Sequence, residues 1–359
     1  MLETKIAGIT LQNPVMPAAG PLTGDLEKIL YIAALGVGGM VTKTISTSAA
    51  NVQRPCIWAG HDSVMNNEKW SELPPETWAV DILPAAKAAL HIPLIVSMGY
   101  TQEDMARLVP MLEPFADAYE ISTHYVGKDL TAIARTVAAI RKLTEKPFFM
   151  KISPHIPEPA AFAKMVWENG GSGVAAINSL GPTMRIDIGR RQAIIGNDAG
   201  QAWTSGPAIK PLALAMVNTI KNAVPEMDII GVGGITTAED VIEFLLAGAS
   251  AVQLLSSAFI HGKDIYRRII DGLPGALQKY GFASATEVIH TGITKGAPKY
   301  VPGRPQVDRE KCGRCRQCEK GCPYFAITFD TEIRVDPEKC FGCGLCESRC
   351  AKHAISGVL

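Results

Sequence analysis

Net charge is what this chain most plainly lacks: 35 Lys and Arg stand against 35 Asp and Glu. No strong field of either sign therefore favours nucleic acid or a membrane surface as partner. Long apolar runs are missing too; none approaches the ~20 residues that span a bilayer. The opening Met1-Leu2-Glu3-Thr4-Lys5 lacks the charged-then-apolar pattern of a secretory signal. Before residue 312 the only cysteine is Cys56, which excludes a disulfide framework there and reads as a buried structural thiol. A G-x-G-x-x-G turn after the first strand is also absent, against a nicotinamide-binding Rossmann domain. A cytoplasmic, reducing setting is the expectation.

The cysteines that are present fall into two runs of one spacing. Cys312, Cys315, Cys318 and Cys322 are followed by Pro323, and Cys340, Cys343, Cys346 and Cys350 by Ala351. A doubled C-x₂-C-x₂-C-x₃-C is how a chain holds two [4Fe–4S] cubanes, the fourth cysteine of each run ligating the other cube. Cys312, Cys315, Cys318 and Cys350 would then hold one cluster, and Cys340, Cys343, Cys346 and Cys322 the second. Zinc or disulfides are the alternatives, but a third closely spaced cysteine per run is surplus to two zinc knuckles. Exposed cubanes are oxidatively fragile, which adds a low-oxygen setting. Something upstream must use single electrons.

With 47% hydrophobic residues, the chain has ample material for a large core. Up to about residue 285, short apolar runs alternate with amphipathic stretches. The candidate strands are 15–18, 39–43, 94–98, 118–121, 148–152, 173–178, 229–232 and 251–255. Several are continuous Val/Ile/Ala/Met runs, as expected of parallel strands buried on both faces. Helical segments include 130–143, 159–169, 207–222 and 238–247, the last started by Thr237-Ala238-Glu239-Asp240. Eight such units predict an α/β (β/α)₈ TIM barrel, with a doubly wound sheet as the alternative. The expected organisation is a barrel over 1–290, a Pro/Gly-bearing linker over 291–305, and an α+β ferredoxin-like module over 306–359. Short β-like stretches after each cysteine run, Ala326–Phe329 and Ala354–Ser356, fit a pseudo-twofold module.

The active site of such a barrel is built at the C-terminal ends of its strands. A flavin converts hydride equivalents into single electrons and nicotinamide does not, so flavin is the expected bridge to the clusters. Lys43 closes the second strand and Lys151 the fifth, where a buried cation stabilises an anionic reduced ring. Glycines in Gly231-Val232-Gly233-Gly234-Ile235 would let backbone N–H groups approach a phosphate, and the helix start at Thr236–Glu239 offers a dipole favouring the anion.

These elements, in order, resemble the dihydroorotate dehydrogenase superfamily, most closely its pyrimidine-reducing branch, dihydropyrimidine dehydrogenase. The resemblance runs from Asn13 to about His261 and resumes in the cluster module. It implies FMN held by Ala18, Ala19 and Gly20 of the first strand and turn, by Lys43, Thr44 and Lys151, and by Asn178. It adds Ser205 and Gly206 of the loop Ser205–Pro211, Gly233 and Gly234, and Ser256 and Ser257 of Gln253–Ala258. Asn66 and Glu68, followed by Ser71, Glu72 and Trp78, resemble the pattern that binds one pyrimidine edge. Asn178 and Ser179 match the pair on its other side.

One segment departs from the family. Where a cysteine-bearing loop normally follows the fourth strand, this chain reads Glu120-Ile121-Ser122-Thr123-His124-Tyr125. His124 or Tyr125 is then the candidate proton donor, or both fill the space of a shortened loop. The expected activity is reduction or oxidation of a C=C/C–C bond beside a carbonyl, with electrons passing between clusters and FMN. The alternative is an electron-transfer subunit without a small substrate. A FAD/NAD(P)H-type subunit or a soluble ferredoxin would be the electron partner, and a homodimer or hetero-oligomer the assembly.

Overall fold

A computed structural model describes residues 1–99, 101–123, 126–294, 296 and 300–359. They form two compact units, Met1–Ile293 and Thr294–Leu359. Among the described residues no helix is long and apolar enough to cross a membrane.

The first unit is a barrel of eight parallel strands: β1 (Val15–Pro17), β2 (Met40–Val41), β3 (Leu94–Met98), β4 (Ala118–Ser122), β5 (Phe148–Ile152), β6 (Gly173–Ala176), β7 (Asp228–Val232) and β8 (Ala251–Leu254). The sheet runs β1-β8-β7-β6-β5-β4-β3-β2, and the Gly38 N–H donates to the Val15 carbonyl at 2.8 Å across its two ends. That order is a ring, so the doubly wound alternative falls. Helices follow the strands: α1 (Leu26–Ala33), α2 (Leu83–Ala89), α3 (Gln102–Leu112), α4 (Thr131–Leu143), α5 (Pro159–Glu168), α6 (Lys210–Ala223), α7 (Ala238–Ala247) and α8 (Ile265–Lys279).

Strand periodicity decides what enters the barrel. Successive side chains point to opposite faces, so Phe148 and Met150 join the core under the helices. Phe149 joins the barrel interior with Val41, Ile95, Ala118, Ile230 and Ala251. Two residues further along, the same parity brings Lys43, Glu120, Lys151 and Gln253 inside, one layer nearer the C-terminal mouth. Ile6 and Leu11 of an N-terminal hairpin (Thr4–Ile6 paired with Ile9–Leu11) join the apolar end. Its turn residue Ala7 donates to Asp228 at the start of β7, 2.6 Å away.

Outside the ring, an antiparallel sheet joins segments far apart in sequence, in the order Leu180–Thr183, Ala202–Ser205, Val64–Asn66 and Ile57–Ala59. The stretch around Asn66 is thus a strand, paired with Trp203 on one side and Ile57 on the other. Cys56, just before this sheet, is half-buried rather than buried. Trp78 belongs to the core: it is fully buried and donates its indole N–H to Ser71 at 2.8 Å.

The second unit repeats itself. Cys312 and Cys340, Cys322 and Cys350, and Asp308 and Asp336 are each 28 residues apart. Asp308 accepts N–H bonds from Glu310 and Lys311, and Asp336 from Glu338 and Lys339. Short helices Gln317–Gly321 and Leu345–Ser348 occupy matching places. Ile327–Phe329 pairs with Ile333–Val335, while Gln306–Val307 pairs with Ile355–Ser356. Ala326, Ile327, Ala354 and Ile355 supply the buried apolar residues.

Candidate active site and iron–sulfur module

A cavity of about 790 Å³ opens at the C-terminal ends of the barrel strands, within the ~300–1,000 Å³ range of small-molecule sites. Every residue expected at FMN lines it, from Ala18, Ala19 and Gly20 through Lys43, Thr44, Lys151 and Asn178 to Ser205, Gly206, Gly233, Gly234, Ser256 and Ser257. The four residues expected at substrate, Asn66, Glu68, Asn178 and Ser179, line the same space. His124 and Tyr125 lie outside the described residues.

The two lysines are buried and differently held. Lys151 Nζ lies 3.1 Å from Glu120 Oε1, and the other Glu120 oxygen accepts from Gln253 Nε2 at 2.7 Å. Glu120 and Gln253 are both fully buried, and sequence reasoning assigned neither of them a role. The signal was available: Glu120 is the only charged residue, and Gln253 the only polar one, of a strand buried on both faces. Lys43 is only 3% exposed; its Nζ lies 2.7 Å from Glu72 Oε2 and 3.4 Å from Glu68 Oε1. The segment carrying both acids is pinned by the Ser71 N–H, which donates to the Thr44 carbonyl at 2.8 Å. Burial pushes the Glu68 carboxyl above its ordinary range despite the Lys43 ammonium beside it, and Glu72 adds to the rise. In Glu72 burial also opposes the charge, but the hydrogen bond from Lys43 wins and holds that carboxyl below its usual value.

Two observations fit FMN to this cavity. Gln253 lines it, and its Oε1 is buried and without a partner among the described residues; an orphan acceptor of this kind is costly unless a donor arrives, and a flavin ring carries an N–H. Gly206, Gly233 and Gly234 all have positive φ, and a Cβ on Gly234 would come within 2.8 Å of the Gly206 carbonyl. That glycine corner leaves backbone close to the cavity, as a phosphate group requires. Ser205 and Ser256 meet there, their hydroxyls 2.6 Å apart. The start of α7 does not contribute as expected. Thr237 and Asp240 form a capping box, and Asp240 Oδ2 accepts from the Thr236 and Thr237 N–H groups at 2.7 and 2.9 Å. The helix's own carboxylate therefore fills its positive end.

In the second unit, Cys322 lines one apolar cavity with Cys340, Cys343 and Cys346. Burial pushes the Cys318 thiol up, opposed by its own and the Glu319 N–H and reinforced by Cys312 and Cys315; Cys346 behaves alike beside Cys340 and Cys343. Among the described residues no three His, Cys, Asp or Glu converge on a single-ion site. Cys322 and Cys350 each accept an N–H four residues on, from Ala326 at 3.4 Å and Ala354 at 3.2 Å, the kind of hydrogen bond that tunes cluster potentials.

Comparison with known proteins agrees with both halves. Residues 1–277 match the dihydroorotate dehydrogenase family and residues 311–354 a 4Fe-4S dicluster domain. The catalytic subunit of dihydroorotate dehydrogenase B (NAD(+)) from Pyrococcus horikoshii is 32% identical over 300 residues, covering 80% of this chain and 97% of the relative. Subunits of the same name from Methanothermobacter thermautotrophicus and Pelobacter propionicus are each 31% identical over 301 residues, covering 80% of this chain and 97% of the relative. The resemblance to the pyrimidine-reducing branch is carried by these matches only as far as the family. The chain belongs to the dihydroorotate dehydrogenase family: a flavoprotein oxidoreductase of CH–CH groups, built on an FMN-binding barrel with a 4Fe–4S dicluster domain.

Proposed function

We propose that this chain reduces the C=C bond of a neutral, pyrimidine-like cyclic amide, in the manner of dihydropyrimidine dehydrogenase, rather than acting on dihydroorotate. The observation that carries this reading is the pair of carboxylates on Lys43. A ring bearing a carboxylate needs an uncompensated cation, and here the ammonium is already shared between Glu68 and Glu72. A neutral ring with alternating N–H and C=O groups suits the wall better. Glu68 accepts from a ring N–H. Asn178, whose Oδ1 is taken by the Ser179 N–H at 2.8 Å, presents its amide N–H₂ to a ring carbonyl, and Asn66 offers a further amide. Such a wall rejects analogues that leave its polar groups unpaired.

FMN, when bound, supplies hydride and accepts electrons singly. The residues proposed to hold it are those lining the cavity from Ala18 to Ser257, with the ion-paired ammonium groups of Lys43 and Lys151 as hydrogen-bond donors to the ring, and Glu120, itself held by Gln253, fixing Lys151. His124 or Tyr125, just after β4 in sequence, is the proposed proton source for the neighbouring carbon. The proposed cluster ligands are Cys312, Cys315, Cys318 and Cys350 for one cube, and Cys340, Cys343, Cys346 and Cys322 for the other. Barrel 1–290, linker 291–305 and module 306–359 are the proposed division. Electrons enter the module from a partner of FAD/NAD(P)H-subunit or ferredoxin type. The alternative of a carrier without substrate is disfavoured by the size of the cavity and by Asn66, Glu68 and Asn178 lining it. Binding tests the reading directly: uracil or thymine should perturb the visible spectrum of the oxidised holoprotein at lower concentration than orotate. Tighter binding of orotate would sink it.

A further inference from the structure

The two halves of the cluster module share a backbone but are oppositely dressed. At the 28-residue repeat, Arg314 corresponds to Gly342 and Arg316 to Gly344. All four have positive φ, 52° and 61° for the arginines and 73° and 80° for the glycines. One half thus uses the residue this backbone favours, while the other accepts strain to place arginine there. Arg316 is compensated by a bidentate pair with Glu319, at 2.7 and 3.1 Å. Arg314 has no ion-pair partner among the described residues, nor do Lys320 and Lys352; the module's pairs use Arg309, Lys311, Arg316 and Lys339.

The tail of each half lies over the other half's cysteine loop. Lys352 runs alongside Gly313, whose Cβ would meet its Cγ at 3.6 Å. Its repeat partner Tyr324 instead stacks on Phe341, with centroids 4.9 Å apart. The next pair, His353 and Phe325, repeats the contrast with φ of 47° and 53°. One face, around Cys312–Cys318, is therefore cationic, and the other, around Cys340–Cys346, is aromatic. Residues 294–359 hold twelve Lys and Arg against eight Asp and Glu, in a chain whose totals are equal.

We propose that the cationic face centred on Arg314 is the electron entry point and docks an acidic ferredoxin-type carrier. The inference rests on the reading that electrons enter through this module, and deepens it by naming the partner and the face. Complementary charge steers such encounters and fixes orientation, with a rate and affinity that fall as salt rises. Each encounter oxidises one reduced ferredoxin by one electron and reduces the module by one electron. Two encounters supply the pair that, with two protons, one C=C reduction consumes.

The test uses the holoprotein and an acidic two-[4Fe–4S] ferredoxin as probe, titrated calorimetrically at low and high ionic strength. Arg314→Gly installs the residue the repeat already uses, so that fold and iron content are retained; Lys352→Gln is combined with it. The double variant should raise the Kd at low salt about tenfold and flatten its salt dependence, while reduction by the small cation methyl viologen radical stays unchanged. Wild-type affinity in the double variant would overturn the proposal. So would loss confined to Phe325→Ser and Phe341→Ser, or strong binding only of an NAD(P)H-linked flavin subunit. Substrate oxidation of chemically reduced enzyme bypasses the carrier, so its failure would count against the proposed function and not against this face.

Discussion

Lys43 shows how one side chain can narrow a substrate class. A lysine at the end of β2 would offer a full positive charge to an anionic ring, but Glu68 and Glu72 take it up. Replacing both acids by glutamine should shift the ratio of orotate to uracil binding toward orotate by about tenfold or more, since a charge pair of this kind in a half-buried site exceeds the ~1.4 kcal/mol that a factor of ten needs. Spectral titration of each ligand measures it. Glu68 also sets a pH dependence. Its carboxyl titrates above the ordinary range because it is buried, so a ring N–H contact that needs the carboxylate is present above that raised value. The contact fades as pH falls through it. The acid limb of uracil affinity should therefore lie above the usual glutamate range and vanish in Glu68→Gln; an unchanged limb in the variant would remove Glu68 from that role.

At the scale of elements, the start of α7 is the clearest lock. Burial would raise the Asp240 carboxyl, but Lys210 at 2.5 Å and the Thr236 donors hold it below the usual aspartate range. With the folded value depressed, its stabilisation is complete above the unfolded aspartate value near 3.9 and is lost as pH falls through the lower folded one. Asp240→Ala should cost about 1–2 kcal/mol at neutral pH, read as a fall in the urea midpoint of the barrel. This cap was legible from Thr237 and Asp240 alone, as were the eight strands, because continuous apolar runs buried on both faces carry their own signature. The rim sheet was not. Val64–Asn66 gains strand geometry only by pairing with Ala202–Ser205, and no local pattern announces a partner so distant. For the same reason the sequence pointed to Lys43 and Glu68 but not to their contact, which depends on Ser71 folding back onto Thr44. The glycine corner was legible in Gly233-Gly234, whereas the carboxylate filling the adjacent helix start needed atomic positions.

Across the whole molecule, two units of different stability are expected. The barrel has a continuous core, while the module buries few apolar residues and depends on its clusters for order. Iron removal with a chelator under reducing conditions should abolish the module's fold without unfolding the barrel. Proteolysis would then release residues beyond about 294 while the remaining fragment keeps its cooperative thermal transition; loss of both together would show that the units are not independent.

The central claim is that the barrel passes electrons to a neutral cyclic amide. Anaerobic stopped-flow reoxidation of the chemically reduced holoprotein tests it most directly. Uracil or thymine should restore the oxidised flavin spectrum, and orotate should leave the flavin reduced. Rapid reoxidation by orotate with none by uracil or thymine would contradict the account.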